Sequence, residues 1–151
     1  MYAKNNTRID GYGRPKYDVV STNTSSTNTS NKPKCPAKIT NIKEVQQYLI
    51  YKGFSCGKDG ADGIYGTNTK KALTQYQLKE GGSKTIKKGS KSELAKVVQM
   101  FLICKKYSVG SYGADGEIGS ASISAIKKFQ KNNGLVQDGI VGINTWKYLL
   151  K

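Results

Sequence analysis

Three of the five Asp-Gly pairs in this 151-residue chain, Asp62-Gly63, Asp115-Gly116 and Asp138-Gly139, stand where residue type and spacing invite chemistry. The fullest is "DGADGIYGTNTKKA", residues 59 to 72, in which two aspartates alternate with Gly60, Gly63 and Gly66 before a hydroxyl-rich stretch. Such a loop could chelate a cation, cradle a phosphate, place carboxylates for acid-base work, or only turn the chain. A calcium loop needs several oxygen ligands at alternating positions and a closing bidentate Glu. Asp59 has Tyr112 as its counterpart in the second copy, so that ligand set does not recur. A phosphate cradle would follow a strand and read GxxxxGK[ST] or GxGxxG, and neither occurs. The chain contains no His, so the usual general base is missing, and Glu44 and Glu93 read as isolated surface carboxylates. No glycosidase-like carboxylate pair is marked. The expectation is a chain without catalytic residues, metal ligands or cofactor.

The bland reading accounts for every residue of the turn. Asp62 can fold its carboxylate onto N–H groups two residues on, Gly63 can take a positive φ, Tyr65 supplies an aromatic plug, and Gly66 admits a close turn. Thr67, Asn68 and Thr69 suit a helix start. The elements that position these turns are amphipathic helices. Ile42, Val45, Leu49 and Ile50 form one apolar stripe, and Leu94, Val97, Val98, Phe101 and Leu102 a fuller one. Shorter stripes run through Ala72, Leu73 and Tyr76, through Ala125, Ile126 and Phe129, and through Trp146, Leu149 and Leu150. No period-2 strand stands out.

Comparison of the chain with itself shows a duplication. A shift of 53 residues lays "GADGIYG" (60 to 66) on "GADGEIG" (113 to 119) and matches 15 of the 37 positions from 45 to 81 without a gap. A third, partial copy ends the chain, because "DGIVGINTWKYL" (138 to 149) repeats "DGIYGTNTKKAL" (62 to 73). The first repeat has no such third copy, so the helix beginning near Lys91 is expected to serve both repeats. Gln46, Gln77, Gln99 and Gln130 keep a fixed place beside the core stripes and read as ties from helix to turn.

Composition narrows the function. The formal charge is +15, carried by 23 Lys and only two Arg, Arg8 and Arg14. The first twenty residues lack an apolar signal core, and no run approaches the roughly 18 apolar residues of a membrane span, so no membrane insertion is expected. Cys35, Cys56 and Cys104 are too few and too scattered for a zinc site or a disulfide framework and read as reduced thiols. The stretch "STNTSSTNTSNKPK" (21 to 34) cannot bury enough apolar surface to offset chain entropy and reads as a tether. The expected division is an N-terminal segment at 1–20, which could be the tail of an upstream catalytic domain, then a tether at 21–38. A shortened repeat at 39–83 and a full repeat at 84–151 follow.

Residues 86 to 149, with "KGS", "DGEIG", "AIKKFQ", "GLVQDGIVG" and "TWKYL" in order, resemble the peptidoglycan-binding domain type 1 family, and residues 42 to 82 a shortened second member. Ser92 stands where the family pattern has a second glycine, and Tyr76-Gln77 where it has Phe-Gln. The resemblance implies an all-α tandem of small three-helix repeats that docks on bacterial cell wall as the targeting part of a lytic enzyme such as a phage endolysin or autolysin. Its partners would be peptidoglycan or an associated anionic wall polymer, and an upstream catalytic domain or full-length lysin. Richness in Lys, Asn and Tyr points to a low-GC Gram-positive source, and the absence of a signal to an endolysin made in the host cytoplasm and acting at the wall.

A wall ligand offers sugar faces, amides and carboxylates, so its site should combine aromatic platforms, amides, hydroxyls and positive charge. The expected rim is Lys58, Tyr65, Thr67 and Asn68 in repeat one, Tyr112 and Ser120 in repeat two, and Asn144, Thr145 and Trp146 at the last turn. Tyr65 and Trp146 also suit core packing, and Asn68 and Asn144 helix capping. Residues 39 to 151 carry 18 Lys against eight carboxylates, a field that would speed encounter with a polyanion. The same charge would serve nucleic acid, yet base readout favours Arg and the repeats contain none. A structural or oligomerising role is the other alternative.

Overall fold

The computed structural model describes residues 33–151. The expected N-terminal segment and the tether through residue 32 lie outside the described residues, and residues 33–38 carry neither helix nor strand. The described residues contain five α-helices: α1 (Ile42–Tyr51), α2 (Thr67–Glu80), α3 (Glu93–Cys104), α4 (Ser120–Asn132) and α5 (Ile143–Leu149). Extended pairing among them is limited to three isolated bridges.

Two helices start on side-chain caps. Asn41 Oδ1 accepts from Glu44 N–H at 3.0 Å, while Glu44 reaches back to the Thr40 N–H at 2.6 Å and hydroxyl at 2.8 Å. Ser92 Oγ accepts from Ala95 N–H at 3.0 Å at the head of α3. The three helices that follow Asp-Gly turns start differently. Gly66, Gly119 and Gly142 stand at their N-caps in extended conformation with no side-chain cap. Thr67 and Asn68, and likewise Asn144, therefore lie in the first helical turn without capping it.

Helix α3 is the hub, because apolar residues run all round it rather than along one stripe. From Leu94 to Cys104 every residue except Lys96 is buried, the signature of a helix enclosed by others. It packs against α1, α2, α4 and α5. Repeat one is thus α1, α2 and α3, and repeat two is α3, α4 and α5, with the central helix shared. Leu49 and Leu73 cover one flank, and Phe101 meets Trp146 edge-on at 6.5 Å on the other. Each such buried side chain contributes about 1.5–3 kcal/mol relative to exposure.

The connection between α2 and α3 laces the two repeats together. Ile86 and Val141 exchange backbone hydrogen bonds at 3.0 and 2.7 Å, Ile118 N–H donates to Ser90 O at 2.9 Å, and Trp146 Nε1 donates to Lys84 O at 3.1 Å. Further back, Ala114 N–H donates to Ile39 O at 2.7 Å, which pins the chain ahead of α1 against the second repeat. Gly113 has φ +69 and sits so close that a Cβ there would lie 2.0 Å from Ile39 O. Only glycine fits both the conformation and the approach.

Candidate functional site

Each Asp-Gly turn is held by one buried glutamine. Gln46 Nε2 donates to Asp62 Oδ1 at 2.7 Å, to Ile64 O at 3.0 Å and to Thr69 Oγ1 at 2.8 Å, and its Oε1 accepts from Gly63 N–H at 2.7 Å. Gln99 repeats the pattern with Asp115 at 3.0 Å, Glu117 O at 3.0 Å, Ser122 Oγ at 2.9 Å and Gly116 N–H at 2.7 Å. Gln130 does so with Asp138 at 2.9 Å, Ile140 O at 2.9 Å, Thr145 Oγ1 at 3.2 Å and Gly139 N–H at 3.0 Å. Each aspartate also accepts from the N–H two residues on, at 2.9 Å in all three turns. One amide thereby joins the helix before the turn, the turn itself, and the helix after it. A primary amide suits this task because it carries donors and an acceptor on one reach.

The expected tie from helix to turn holds in full for these three glutamines and only in part for the fourth. Gln77 has no Asp-Gly turn to grip. Its Nε2 donates to Gly82 O at 2.6 Å, and its buried Oε1 has no partner. From sequence Thr69 reads as part of a helix start and Ser122 as a rim hydroxyl beside Ser120, whereas the structure makes both buried partners of the glutamines, each seven residues after its aspartate, as Thr145 is. That recurring spacing was the available signal.

The aspartates are occupied by this architecture. N–H groups of Ile64 and Ile140, with the amides of Gln46 and Gln130, hold the Asp62 and Asp138 carboxyls below their ordinary range. Glu93, read from sequence as an isolated surface carboxylate, is not isolated. Tyr48 Oη donates to it at 2.7 Å, Tyr76 Oη donates to it as well, and Lys96 Nζ stands 3.8 Å away. Burial works against its charge, yet the Tyr76 and Tyr48 hydroxyls with Lys96 and Lys52 outweigh that and keep the carboxyl low. The two tyrosines come from α1 and α2, so the cluster latches repeat one to the head of the hub.

The rim residues divide by exposure. Lys58, Thr67, Asn68, Tyr112, Ser120 and Asn144 are exposed. Tyr112 and Ser120 are brought together on a cavity of about 380 Å³ that also touches Gly110, Glu117 and Ala121. Asn144 lies on another of about 340 Å³ beside Val136, Ile140 and Ile143. In repeat one the site equivalent to the first cavity is covered by Asn68, whose Nδ2 would lie 2.4 Å from a Cβ at Gly57. Ala121 replaces Asn68 in repeat two; its shorter side chain lines the cavity, with its Cβ 2.8 Å from where a Cβ at Gly110 would stand. Tyr65 is half-buried against the core, and its buried hydroxyl has no partner. Thr145 and Trp146 are buried at 4% and 2% exposure, so they hold the last turn and core rather than a rim.

Among the described residues no group of three or more His, Cys, Asp or Glu could hold a metal ion. No helix among them is long and apolar enough to cross a membrane.

Sequence comparison places this geometry among known proteins. Residues 39–85 and 91–149 each match the profile of the peptidoglycan binding domain family. N-acetylmuramoyl-L-alanine amidase CwlL of Bacillus licheniformis is 33% identical over 90 residues, which are 58% of this chain and 25% of the amidase. A probable N-acetylmuramoyl-L-alanine amidase of the same organism is 33% identical over 78 residues, 52% of this chain and 22% of that protein. The chain thus spans about a quarter of the length of these relatives. A crystal structure of a peptidoglycan-binding protein from Clostridioides difficile, in complex with glutamine hydroxamate, is 39% identical over 44% of this chain and 40% of that one, with a TM-score of 0.42. With both repeats matched over most of the described residues, the chain belongs to the peptidoglycan binding domain family.

Proposed function

We propose that residues 39–83 and 84–151 form a non-catalytic tandem that binds bacterial cell wall and carries a peptidoglycan hydrolase to its substrate. The observation that carries this reading is the match of both repeats to one wall-binding family. Similarity to the two amidases is confined to about a quarter of their length, which supports a targeting segment joined through a tether at residues 21–38 to a catalytic domain. A phage endolysin of a Gram-positive host, made in that host's cytoplasm and acting at its wall, is the setting in best accord with the composition.

Binding would use the exposed groups at the turns. Tyr112 is 79% exposed and offers a flat face for a sugar, with Ser120 beside it, while Lys58, Asn68 and Asn144 supply charge and amides. The net +10 over residues 39 to 151 favours peptide carboxylates and wall phosphates as partners, and makes binding weaken with salt. Sedimentation with purified sacculi, but not with DNA-cellulose, tests the class. Retention on sacculi at physiological salt is the expected result, and failure to co-sediment would refute the reading. Repeating it after teichoic polymers are stripped tells peptidoglycan from the anionic polymer.

A further inference from the structure

The duplication gives the molecule two copies of one loop surface, and only one of them is walled. In repeat one the loop after α1 frames a shallow cavity of about 370 Å³ over Ile50, Phe54 and Cys56. The loop after α3 in repeat two meets the chain from Thr40 to Lys43, because the Ala114 to Ile39 hydrogen bond draws that segment onto it. The result is a groove of about 440 Å³ shared by the two repeats, in the size range of small-ligand sites.

Differences between the copies change the chemistry of that surface. Lys106 replaces Gly53, and Tyr107 replaces Phe54. Gly53 has φ +93, and Lys106 holds φ +71, the one positive φ outside glycine among the described residues. A lysine in a left-handed conformation that the sister repeat gives to glycine is strain kept by its surroundings, and such strain gathers at functional positions. Lys43 faces the same groove from α1. Among the described residues ion pairs are confined to Lys91 and Lys96, so neither Lys43 nor Lys106 has an ion-pair partner among them.

Two neutral side chains of the lining also keep a donor without a partner among the described residues. Asn41 Oδ1 is taken by Glu44 N–H, which leaves its NH2 group; Tyr107 Oη accepts from Asn132 at 2.9 Å, which leaves its proton. Glu44 commits its carboxylate to Thr40. Buried Ile103 and Val109 add an apolar floor. Donors and ammonium groups above an apolar floor match an acceptor-rich ligand with a small apolar side chain next to its charge. A phosphate polymer would instead call for cations spaced along an open face.

We infer that the inter-repeat groove binds the carboxylate end of a short peptide, the chemistry that a wall stem peptide presents. The inference rests on the wall-binding reading and assigns that ligand to a place outside the turns. Titration of the full chain with the tetrapeptide L-Ala-γ-D-Glu-L-Lys-D-Ala, followed by amide chemical shifts, should saturate with shifts grouped around residues 40–43 and 106–110. The C-terminal amide of the same peptide should bind about fivefold more weakly or worse, and Lys43→Gln and Lys106→Gly should each lose a similar factor. Lys106→Gly should keep or raise the melting temperature, which separates loss of ligand from loss of fold. Equal affinity for acid and amide, unchanged affinity in both variants, or displacement by glycerol phosphate at equal concentration overturns the assignment. A chain that sediments with sacculi but ignores the tetrapeptide refutes this site alone; failure of both assays removes the wall reading with it.

Discussion

Replacing Gln99 and Gln77 in turn by Met tests whether buried glutamines stabilise this fold through the turns they grip. Both are essentially buried, at 1% and 2% exposure, and Met keeps nearly the same length and volume. Gln99→Met removes the sole partner found for the buried Gly116 N–H, together with donors to Glu117 O and Ser122 Oγ. An orphaned buried N–H costs about 1–3 kcal/mol, and each lost neutral hydrogen bond about 0.5–1.5 kcal/mol. Exposed Asp115 recovers water and adds little. The expected loss is about 3 kcal/mol, a fall in melting temperature of roughly 10–15 °C for a unit of this size. Gln77→Met removes one bond, to Gly82 O, and also removes an oxygen that had no partner. These effects oppose each other at about 1 kcal/mol apiece, so its stability should stay within about 1 kcal/mol of the parent. Thermal and urea unfolding by circular dichroism measure both. If Gln77→Met costs as much as Gln99→Met, the turn clamp is not what the glutamines contribute, and the account of the three turns fails.

Three more outcomes follow from particular contacts. Gly113→Ala should destabilise by more than about 2 kcal/mol in urea unfolding, because its Cβ would strike Ile39 O. Gly60→Ala, with the same positive φ and only Ile50 Cδ1 at 4.0 Å, should cost about 1 kcal/mol. Acid should weaken the fold. Carboxyls held low in the folded state, those of Asp62, Asp138 and Glu93, contribute stability above their unfolded pKa, and this is lost as pH falls through the folded values. Melting temperature in high-salt buffer should therefore be level down to about pH 5 and fall below about pH 4; a level profile down to pH 2 would contradict the clamps. Thiol titration of the native protein should find Cys35 fast and the other two slow, because burial pushes the Cys56 and Cys104 thiols up to about 11 and about 12. Three equally fast thiols would show that the core opens.

The sequence alone determined the turn chemistry, the helices and the duplication. Asp-Gly pairs, apolar spacing and a 53-residue shift are local or periodic, so side-chain type suffices to read them. It also pointed to α3 as a helix shared by both repeats, since the first repeat lacks a third copy of the turn. Tertiary structure decided what depends on distance between separated segments. Trp146 and Thr145 looked available for a ligand and proved buried, because the segment at Lys84 to Ile86 folds back over the last turn. Glu93 looked solitary until α1 and α2 each delivered a tyrosine to it. Gln77 matched its three relatives by position, and only the structure shows its amide held by one bond, to Gly82 O, with a buried oxygen left without a partner. Lys106 shows the same division: its type and its alignment with Gly53 were visible in the sequence. Its positive φ, shared with Gly53, comes from the turn that ends the helix, and the groove it shares with Lys43 arises only when the chain at Ile39 docks against Gly113.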